Sequence, residues 1–399
     1  MRDAVIVEAV RTPVGKGKPN GTLAQVHPVE LLSHTLRSLV ERTGIDPAVI
    51  DPALIDPALI DDVIGGTVTQ VGEQAVNITR QAVLSAGFPE SVPATTVDRQ
   101  CGSSQQAVHF AAQGVISGAY DIVVACGVES MGRVPMGSSV LPGTDPFGPG
   151  VAGRYPEGLV PQGISAELIA AKWSMTRDQL DAFAVSSHVK AATAWDAGLF
   201  DAQVAPLAGA SRDECVRPGS TSEILAGLKP AFYDATYAER FPQIEWNITA
   251  GNSSPINDGA SAVLITSSET AARLGLRPLA RLHSFAVTGS DPLLMLTGVI
   301  PATEKVLRRA SLTLDDIDLF EVNEAFSSVV LAWQQETGAD LAKVNVHGGA
   351  IAIGHPLGAS GTRLTTTLVH AMRDRGARYG LQTMCEAGGL ANAMVIEAV

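Results

Sequence analysis

Residues 94–126 read ATTVDRQCGSSQQAVHFAAQGVISGAYDIVVAC, and this stretch decides the fold. The β-branched run Ala94–Val97 is followed by a polar turn, by an Ala-rich segment of helical period at Ser103–Ser117, and by the apolar run Ile122–Ala125. This is the order of a strand, a turn, a helix and a second strand. The stretch therefore predicts a β-turn-α-β unit of an α/β protein.

A second stretch has the same organisation. Residues 343–385 run from the apolar segment Lys343–Val346 through a Gly-rich turn and a helical segment to a strand that ends in Cys385, as the first stretch ends in Cys126. The match suggests two duplicated halves. Any two β-turn-α-β units look alike, however, so the pattern alone leaves both duplication and coincidence open.

The rest of the chain alternates β-branched runs with Ala-rich helical segments, which predicts an α/β fold. The pattern loosens between Gly127 and Trp246, with Gly- and Pro-rich loops at Gly132–Tyr155, and we expect an inserted loop domain there. The other predicted elements are Ala4–Val10, Pro28–Arg42, Asp61–Val68, Gln74–Gly87, Ser165–Trp173, Arg177–Ala197, Ala262–Thr266, Thr303–Ala310, Leu319–Phe320, Ser327–Glu336, Thr362–Arg375 and Ala393–Val399.

A short repeat stands apart from this alternation. The pattern Asp-Pro-Ala-x-Ile occurs three times between Asp46 and Ile60. Its period is too short for a solenoid, and a proline at every fifth residue would break a continuous helix. We predict a surface excursion between a helix and the next strand, and we assign it no function.

The composition excludes several classes of protein. At 399 residues, the chain is long enough for two or three packed units, and 46% hydrophobic with 17% charged residues is typical of a globular enzyme. A net charge of -13 argues against a nucleic-acid surface, which needs clustered Lys and Arg. The four cysteines form no C-x-x-C pair, so we predict reduced thiols and no metal site.

Targeting and membrane segments are not visible in the sequence. The N-terminus reads as a first strand rather than as a signal peptide, and no run of about eighteen apolar residues follows elsewhere. We therefore expect no signal peptide, no membrane span and a cytoplasmic location.

Cys101 is the strongest candidate for a nucleophile. It follows the polar residues Asp98–Gln100 and precedes Gly102-Ser103, where a helix is predicted to begin. A thiol at the positive end of a helix has a lowered pKa, and the backbone N–H groups there face a developing negative charge. A buried structural cysteine is the alternative, but the polar residues on both sides favour the catalytic interpretation.

A glycine-rich segment around His355 is the second candidate. Residues 345–363 read NVHGGAIAIGHPLGASGTR, with five glycines before a helix. Such glycines let the backbone bend tightly and approach a ligand, and His355 could act as a general base. A lone histidine is more often structural, and the segment lacks the lysine of a P-loop.

Two further segments are weak signals when each is taken alone. Met384–Ala393 places a cysteine at a strand end before a run of small residues, and Asn323–Phe326 follows an apolar run directly. A cysteine at a strand end is usually part of the core, and an Asn-Glu pair after a strand is usually a helix cap.

Taken together, these segments resemble the thiolase family, the acetyl-CoA C-acyltransferases and acetyl-CoA acetyltransferases. The resemblance covers essentially the whole chain, and its matching motifs are Val5–Gly15, Cys101–Ser103, Glu129–Met131, Gly251–Ser254, Asn257–Ala260, Asn323–Phe326, Gly348–Ala350 and Gly354–Pro356. It implies an α/β, thiolase-like fold with two duplicated five-layered α-β-α-β-α halves and an inserted loop domain. We expect the N-terminal half at 1–126, completed by 249–275, the loop domain at 127–248 and the C-terminal half at 276–399.

The resemblance also implies roles for the site residues. Cys101 would take the acyl group, His355 would activate it, and Cys385 would exchange a proton with the α-carbon of the substrate. One oxyanion hole would consist of His355 and a water held by Asn323, and the other of the backbone N–H groups of Cys101 and Ala387. Many thiolases have glycine in place of Ala387, so this alanine could restrict the backbone there.

Three residues match the coenzyme A contacts of the family. Ser254 matches a serine near the pantetheine arm, although Pro255 follows it where glycine is usual, and Arg217 and Ser222 match the nucleotide end. The resemblance implies acyl-CoA and CoA as substrates, no bound cofactor or metal, no nucleic-acid or membrane partner, and a homodimer or homotetramer.

The direction of the reaction is predicted from one sequence difference between this chain and the short-chain biosynthetic thiolases. Short-chain biosynthetic thiolases commonly carry His-Met-Gly where this chain has Pro161-Gln162-Gly163. We expect a differently shaped acyl pocket and degradative thiolysis of 3-ketoacyl-CoA to acetyl-CoA and a shortened acyl-CoA, as in fatty acid β-oxidation. The alternatives are a biosynthetic acetoacetyl-CoA thiolase and a non-catalytic acyl-CoA-binding relative. A ketoacyl synthase is disfavoured because that group lacks a cysteine matching Cys385.

Overall fold

The computed structural model describes residues 2–43 and 59–399. The surface excursion predicted for the Asp-Pro-Ala repeat therefore falls almost entirely outside the described residues. Within them, no helix is long and apolar enough to cross a membrane.

The first part of the chain alternates strands and helices and is completed by a strand from beyond the loop region. Its elements are β1 (Val5–Arg11), β2 (Gly15–Lys16), α1 (Pro28–Glu41), β3 (Asp62–Gly66), α2 (Ile78–Ser85), β4 (Ala94–Val97), α3 (Ser103–Ser117), β5 (Ile122–Ser130) and β6 (Asn257–Thr266). The bounds of β4 and α3 are those predicted from the sequence.

The region between β5 and β6 is helical. Residues 131–256, all of them described, contain α4 (Gly148–Arg154), α5 (Gln162–Lys172), α6 (Arg177–Asp196), α7 (Ser222–Ala226) and α8 (Ala235–Arg240), with no strand beyond isolated bridges. The Thr176 hydroxyl and the Gln179 side chain form a capping box at the start of α6. The domain boundaries given above stay a prediction.

The last part of the chain repeats the pattern of the first. It contains α9 (Ser268–Arg273), β7 (Ala280–Gly289), α10 (Val299–Ala310), β8 (Leu319–Val322), α11 (Ser327–Thr337), α12 (Ser360–Arg375), β9 (Tyr379–Glu386) and β10 (Leu390–Ala398). The predicted strand Lys343–Val346 is reduced to a single parallel bridge between Val344 and Phe320. Strand β7 was not predicted from the sequence.

The strand order shows the duplication directly. The first half has the order β4-β3-β5-β6-β1, and the second has β8-β9-β10-β7 with Val344 beyond β8. In both halves, the pairs that include β3 or β8 are parallel and the rest are antiparallel. The two sheets join where β1 pairs with β7, over Val5–Arg281 and Ile6–Ala280.

The helices and sheets stack in five layers across the molecule. Helices α1 and α2 cover the outer face of the first sheet through Leu31, Leu36 and Ile78. Helices α10 and α11 cover the outer face of the second sheet. Between the sheets lie α3 and α12, where Val108 and Leu368 share one core. The predicted α/β thiolase-like fold is confirmed, and both halves contribute to one five-layered stack.

The central helices approach each other closely because small residues, Ser104 and Gly361, lie where their first turns meet. A Cβ on Gly361 would lie 2.0 Å from the backbone nitrogen of Gln105. The Ser104 hydroxyl accepts a hydrogen bond from the N–H of Thr362, at 3.0 Å. The starts of α3 and α12 are therefore in direct contact, although one belongs to each half of the molecule.

Candidate active site

A tight turn presents Cys101 at the start of α3. The Asp98 carboxylate accepts from the N–H of Gln100 at 2.7 Å, and Gln100 adopts the left-handed conformation with φ +49°. The Ser103 hydroxyl closes the turn by accepting from the N–H of Arg99 and donating to the carbonyl of Gln100. Such a conformation is uncommon outside glycine and is maintained by the surrounding hydrogen bonds. The predicted placement of Cys101 before a helix is thus observed.

His355 lies in the loop that leads into α12. Its backbone N–H donates to the Asn257 side-chain oxygen at 2.8 Å, and its ring Nδ1 lies 2.5 Å from the Ser360 hydroxyl. The same hydroxyl donates its only proton to the carbonyl of Pro356, at 2.8 Å. Ser360 must then accept from Nδ1–H, so the neutral ring carries its proton on Nδ1 and leaves Nε2 free to take one.

Asn323 faces that free nitrogen. It follows β8, its backbone N–H donates to the carbonyl of Thr383 on β9, and its side-chain Nδ2 lies 3.4 Å from His355 Nε2. Its Oδ1 is buried and finds no hydrogen-bond partner within the described residues. Asn323 is also close enough to the Cys385 thiol to favour its charged form, although burial has the larger and opposite effect on that pKa.

Cys385 lies near the end of β9 and is completely buried. Cys385 lies close enough to Cys101 for a charge on Cys101 to disfavour a second thiolate on Cys385, and Cys101 packs with Leu357 and Met384 in one small cluster. The structure therefore brings together Cys101, His355, Asn323 and Cys385, although two come from the middle of the stack and two from the second sheet.

Ala387 is compatible with its position. The left-handed backbone of the turn after β9 falls on Gly388 and Gly389, with φ +84° and +79°, and Ala387 is not among the residues with positive φ. The alanine therefore does not need the conformational freedom of glycine, and the expected restriction of the backbone does not arise.

Two buried carboxylates hold the histidine loop in place. Glu129, at the end of β5, accepts from the N–H groups of Gly358 and Val68 at 2.9 Å each, and from Thr69 and Gln74. Glu324 accepts from the Ser187 hydroxyl at 2.6 Å, from Asn345 and from the N–H of Ile351. Both glutamates lie inside the sequence motifs given above, but no role was predicted for them.

The electrostatics of the site differ from the expectation for a helix start. Burial, with the Glu386 carboxyl as the second cause, raises the pKa of the Cys101 thiol to about 12. The prediction of a lowered thiol pKa is therefore wrong for the resting protein. Burial, and then the Arg363 charge, lowers the pKa of His355 to about 3. At neutral pH Cys101 is therefore a thiol and His355 a neutral imidazole.

The three residues predicted to contact CoA have fewer structural links to the site than the four residues above. The N–H of Ser254 donates to the carbonyl of Ala325, at 3.0 Å, which sets Ser254 beside the segment that carries Asn323. Arg217 and Ser222 are exposed on the loop region, and the N–H of Arg217 donates to the ring of His188. Within the described residues, no hydrogen bond joins Arg217 or Ser222 to Cys101 or Cys385, so their roles stay predictions.

Two further residues belong to the site. The Gln162 side chain, at the start of α5, lies close enough to the Cys101 thiol to favour its charged form, against the larger opposing effect of burial. The departure at Pro161–Gly163 is thus adjacent to the candidate nucleophile. Ser360 lies in the glycine-rich segment, but no role was predicted for it. Its position at the start of the helix that follows His355 is the sequence feature that could have indicated a hydrogen bond to the ring.

Comparison with family models agrees with this geometry. Residues 4–269 match the thiolase N-terminal domain, and residues 276–398 match the thiolase C-terminal domain. Together the two matches cover nearly the whole chain.

Named relatives agree in length as well as in sequence. The chain is 44% identical to a steroid 3-ketoacyl-CoA thiolase of Mycobacterium tuberculosis, with 100% of this chain and 94% of the relative covered. It is 41% identical to a 3-ketoacyl-CoA thiolase of Bacillus subtilis over the full length of both.

Two solved structures superpose on the whole fold. The Bacillus anthracis acetyl-CoA acetyltransferase has a TM-score of 0.86 at 36% identity, and human mitochondrial 3-ketoacyl-CoA thiolase has 0.85 at 33% identity. In both comparisons, 100% of this chain and 99% of the solved chain are covered. The duplicated sheets, the paired helix starts and these matches together establish that this chain belongs to the thiolase family.

Proposed function

We propose that this chain is an acyltransferase that cleaves 3-ketoacyl-CoA with free CoA, giving acetyl-CoA and a shortened acyl-CoA through an acyl-Cys101 intermediate. The observation that carries the proposal is the meeting of two thiols, a neutral imidazole and an amide at the adjoining starts of α3 and α12 and the end of β9. The relatives named as 3-ketoacyl-CoA thiolases support the substrate class.

In the first half-reaction, the Cys101 sulfur attacks the 3-keto carbon while its proton passes to His355 Nε2. The bond between C2 and C3 then breaks, and its electron pair stays on C2 of the departing acetyl-CoA. The Cys385 thiol supplies the proton that C2 takes up, which leaves a Cys385 thiolate and an acyl thioester on Cys101. The tautomer fixed by Ser360 suits this step because it leaves Nε2 unprotonated.

In the second half-reaction, the CoA thiol gives its proton to Cys385 and attacks the carbonyl of the acyl thioester. Cys101 leaves as a thiolate and recovers its proton from the His355 imidazolium. Each half-reaction places negative charge on a carbonyl oxygen, so each needs hydrogen-bond donors there. We assign one set to His355 with a water on Asn323, and the other to the N–H groups of Cys101 and Ala387.

The degradative direction is favoured over condensation by the acyl side of the site. Gln162 replaces the thioether of short-chain biosynthetic enzymes and lies beside the Cys101 thiol. The biosynthetic alternative keeps support from the similarity to an acetyl-CoA acetyltransferase. Because one relative is named for a steroid substrate, the substrate panel must include bulky ring-bearing acyl groups.

The remaining assignments are part of the same proposal. Ser254, Arg217 and Ser222 contact CoA, which is a substrate, and no cofactor or metal takes part. The chain works in lipid breakdown by fatty acid β-oxidation, as a homodimer or homotetramer, in the cytoplasm. The acidic composition and the four free cysteines support the cytoplasmic location.

The test is a steady-state panel of 3-ketoacyl-CoA substrates that includes acetoacetyl-CoA, longer straight chains, branched chains and cyclic groups. We expect kcat/KM to be highest for a substrate larger than acetoacetyl-CoA. A strong preference for acetoacetyl-CoA would instead favour the biosynthetic alternative.

A non-catalytic acyl-CoA-binding protein is the second candidate, and a variant of the nucleophile separates it from an enzyme. We expect Cys101→Ser and His355→Ala each to abolish thiolysis, while Cys385→Ser still forms the acyl-Cys101 adduct but does not condense acetyl-CoA. Trapping a labelled acyl group on a peptide without Cys101 would contradict the assignment of the nucleophile. Equal turnover by Cys101→Ser and the wild type would show that Cys101 is not the nucleophile.

A further inference from the structure

We propose that Glu386 is a positioning residue for the nucleophile: its carboxyl must be protonated for the start of α3 to stabilise a Cys101 thiolate, and its ionisation suppresses the reactivity of Cys101. This inference rests on the proposed function only in taking Cys101 as the reactive thiol. The reaction scheme above does not use Glu386.

The geometry places an unpaired acid at a helix start. Glu386 is the last residue of β9, directly after Cys385, and its side chain is fully buried. Neither carboxyl oxygen finds a hydrogen-bond partner within residues 2–43 and 59–399. The carboxyl lies against Gly102, where an added Cβ would be 1.9 Å from Glu386 Oε1. Gly102 caps α3, so the acid and the nucleophile share one helix terminus.

A shared helix terminus makes the two groups competitors. The N-terminus of a helix carries a partial positive charge of about half a unit, which favours a single nearby anion. If Glu386 is ionised, that field is neutralised, and a thiolate on Cys101 would be a second negative charge in a buried space. If Glu386 is protonated, the field and the N–H groups remain available to the sulfur.

The charged and titratable neighbours set which form is present. Arg99, in the turn before α3, favours the carboxylate, but burial outweighs it and raises the pKa of Glu386 to about 8. The titratable groups nearby are the Cys101 and Cys385 thiols, whose pKa values Glu386 raises. His109 on α3 supplies no charge, because burial lowers its pKa to about 3. Glu386 is therefore mostly protonated at neutral pH and ionises just above it.

The test measures the reactivity of one thiol and needs no acyl substrate. The rate of Cys101 alkylation by iodoacetamide is followed from about pH 6 to 10, with the modified peptide identified by mass spectrometry. In the wild type, the logarithm of the rate should rise with pH and then flatten near pH 8 as Glu386 ionises. Glu386→Gln imitates the protonated acid, so its rate should match the wild type below pH 7 and exceed it about tenfold near pH 9, the effect of one pKa unit.

The matched control is Glu8→Gln on β1, a half-buried carboxyl whose pKa is also raised by burial, to about 7. It should leave the profile of Cys101 unchanged. A constant ratio between Glu386→Gln and the wild type at every pH overturns the proposal. If that variant does not fold, the wild-type profile decides, because a single ionisation without the flattening near pH 8 also overturns it. A protein that shows the predicted alkylation profile but no thiolysis would refute the proposed function and leave this inference standing.

Discussion

Replacing Ser360 with alanine tests whether the orientation of the His355 ring matters for activity, because the substitution keeps the histidine and removes only its hydrogen-bond partner. The hydroxyl accepts from Nδ1 at 2.5 Å and donates to the carbonyl of Pro356 at 2.8 Å, so it fixes both the tautomer and the angle of the ring. In Ser360→Ala, the buried Nδ1–H has lost its acceptor. The ring can then rotate or move its proton to Nε2, the nitrogen that accepts the proton of Cys101 in the proposed reaction.

The expected loss follows from one hydrogen bond. Leaving a buried donor unsatisfied costs about 1–3 kcal/mol, and if that cost falls on the transition state it lowers kcat by about 5- to 150-fold. KM should change little, because Ser360 is placed behind the imidazole rather than against CoA. The assay is steady-state thiolysis of the best substrate of the panel, with a thermal melt to compare folding.

The control is Thr366→Val on the same helix. Thr366 also has a buried hydroxyl, which donates to the carbonyl of Thr362 at 2.8 Å, but it does not contact His355. It should lower the melting temperature by a similar amount without changing kcat. If Ser360→Ala keeps kcat within about twofold of the wild type, the orientation of His355 does not depend on this hydroxyl.

Four further outcomes are expected. The kcat/KM profile should show no acid limb near pH 6.5, because the pKa of His355 is lowered to about 3; a limb near 6.5 would mean that the ring is solvated. In thermal melts, stability should fall as pH drops from about 4.5 towards 3, because the unfolded chain binds protons that four buried imidazoles do not: His109, His188, His347 and His355. Above that range the buried carboxyls of Glu8, Glu321 and Glu386, with pKa values raised by burial to about 7, 8 and 8, bind protons first in the folded chain and oppose the loss. Glu129→Gln places an amide N–H₂ against N–H donors and should cost about 2–3 kcal/mol of stability together with a lower kcat, and unchanged values for both would disprove its role in holding the histidine loop. Gly361→Ala overlaps the backbone of α3 and should lower stability by about 1–3 kcal/mol, whereas Gly153→Ala, whose added Cβ meets no atom within 4 Å, should not destabilise the fold.

The elements that the sequence predicted best are those with the strongest local signals. Helix α3 begins after Gly102 and ends at Gly118, whose φ of +82° is favourable mainly for glycine. Both ends are therefore determined by residues next to the helix in the sequence. Strand β7 was missed because Arg281 and His283 interrupt its apolar residues. Both side chains are paired with Glu397 on β10, and such a cross-strand partner is invisible from one strand alone.

The site shows the same division between local and tertiary information. The motifs around Cys101 and His355 can be recognised in the sequence because their glycines and turn residues are local requirements. The pKa of Cys101 could not be predicted, because it depends on burial between two sheets and on Glu386, which arrives from the far end of the chain. Ser360 was overlooked because its importance comes from the ring that it faces.

The placement of α3 and α12 in the middle layer affects when the site forms during synthesis and folding of the chain. During synthesis, the segment with Cys101 and α3 leaves the ribosome long before the segment with His355 and α12. Until that late segment has docked, the Cys101 thiol lacks both His355 and Cys385, so a half-made chain cannot carry out the proposed reaction. Activity should therefore be the last property to return on refolding, after most secondary structure has formed.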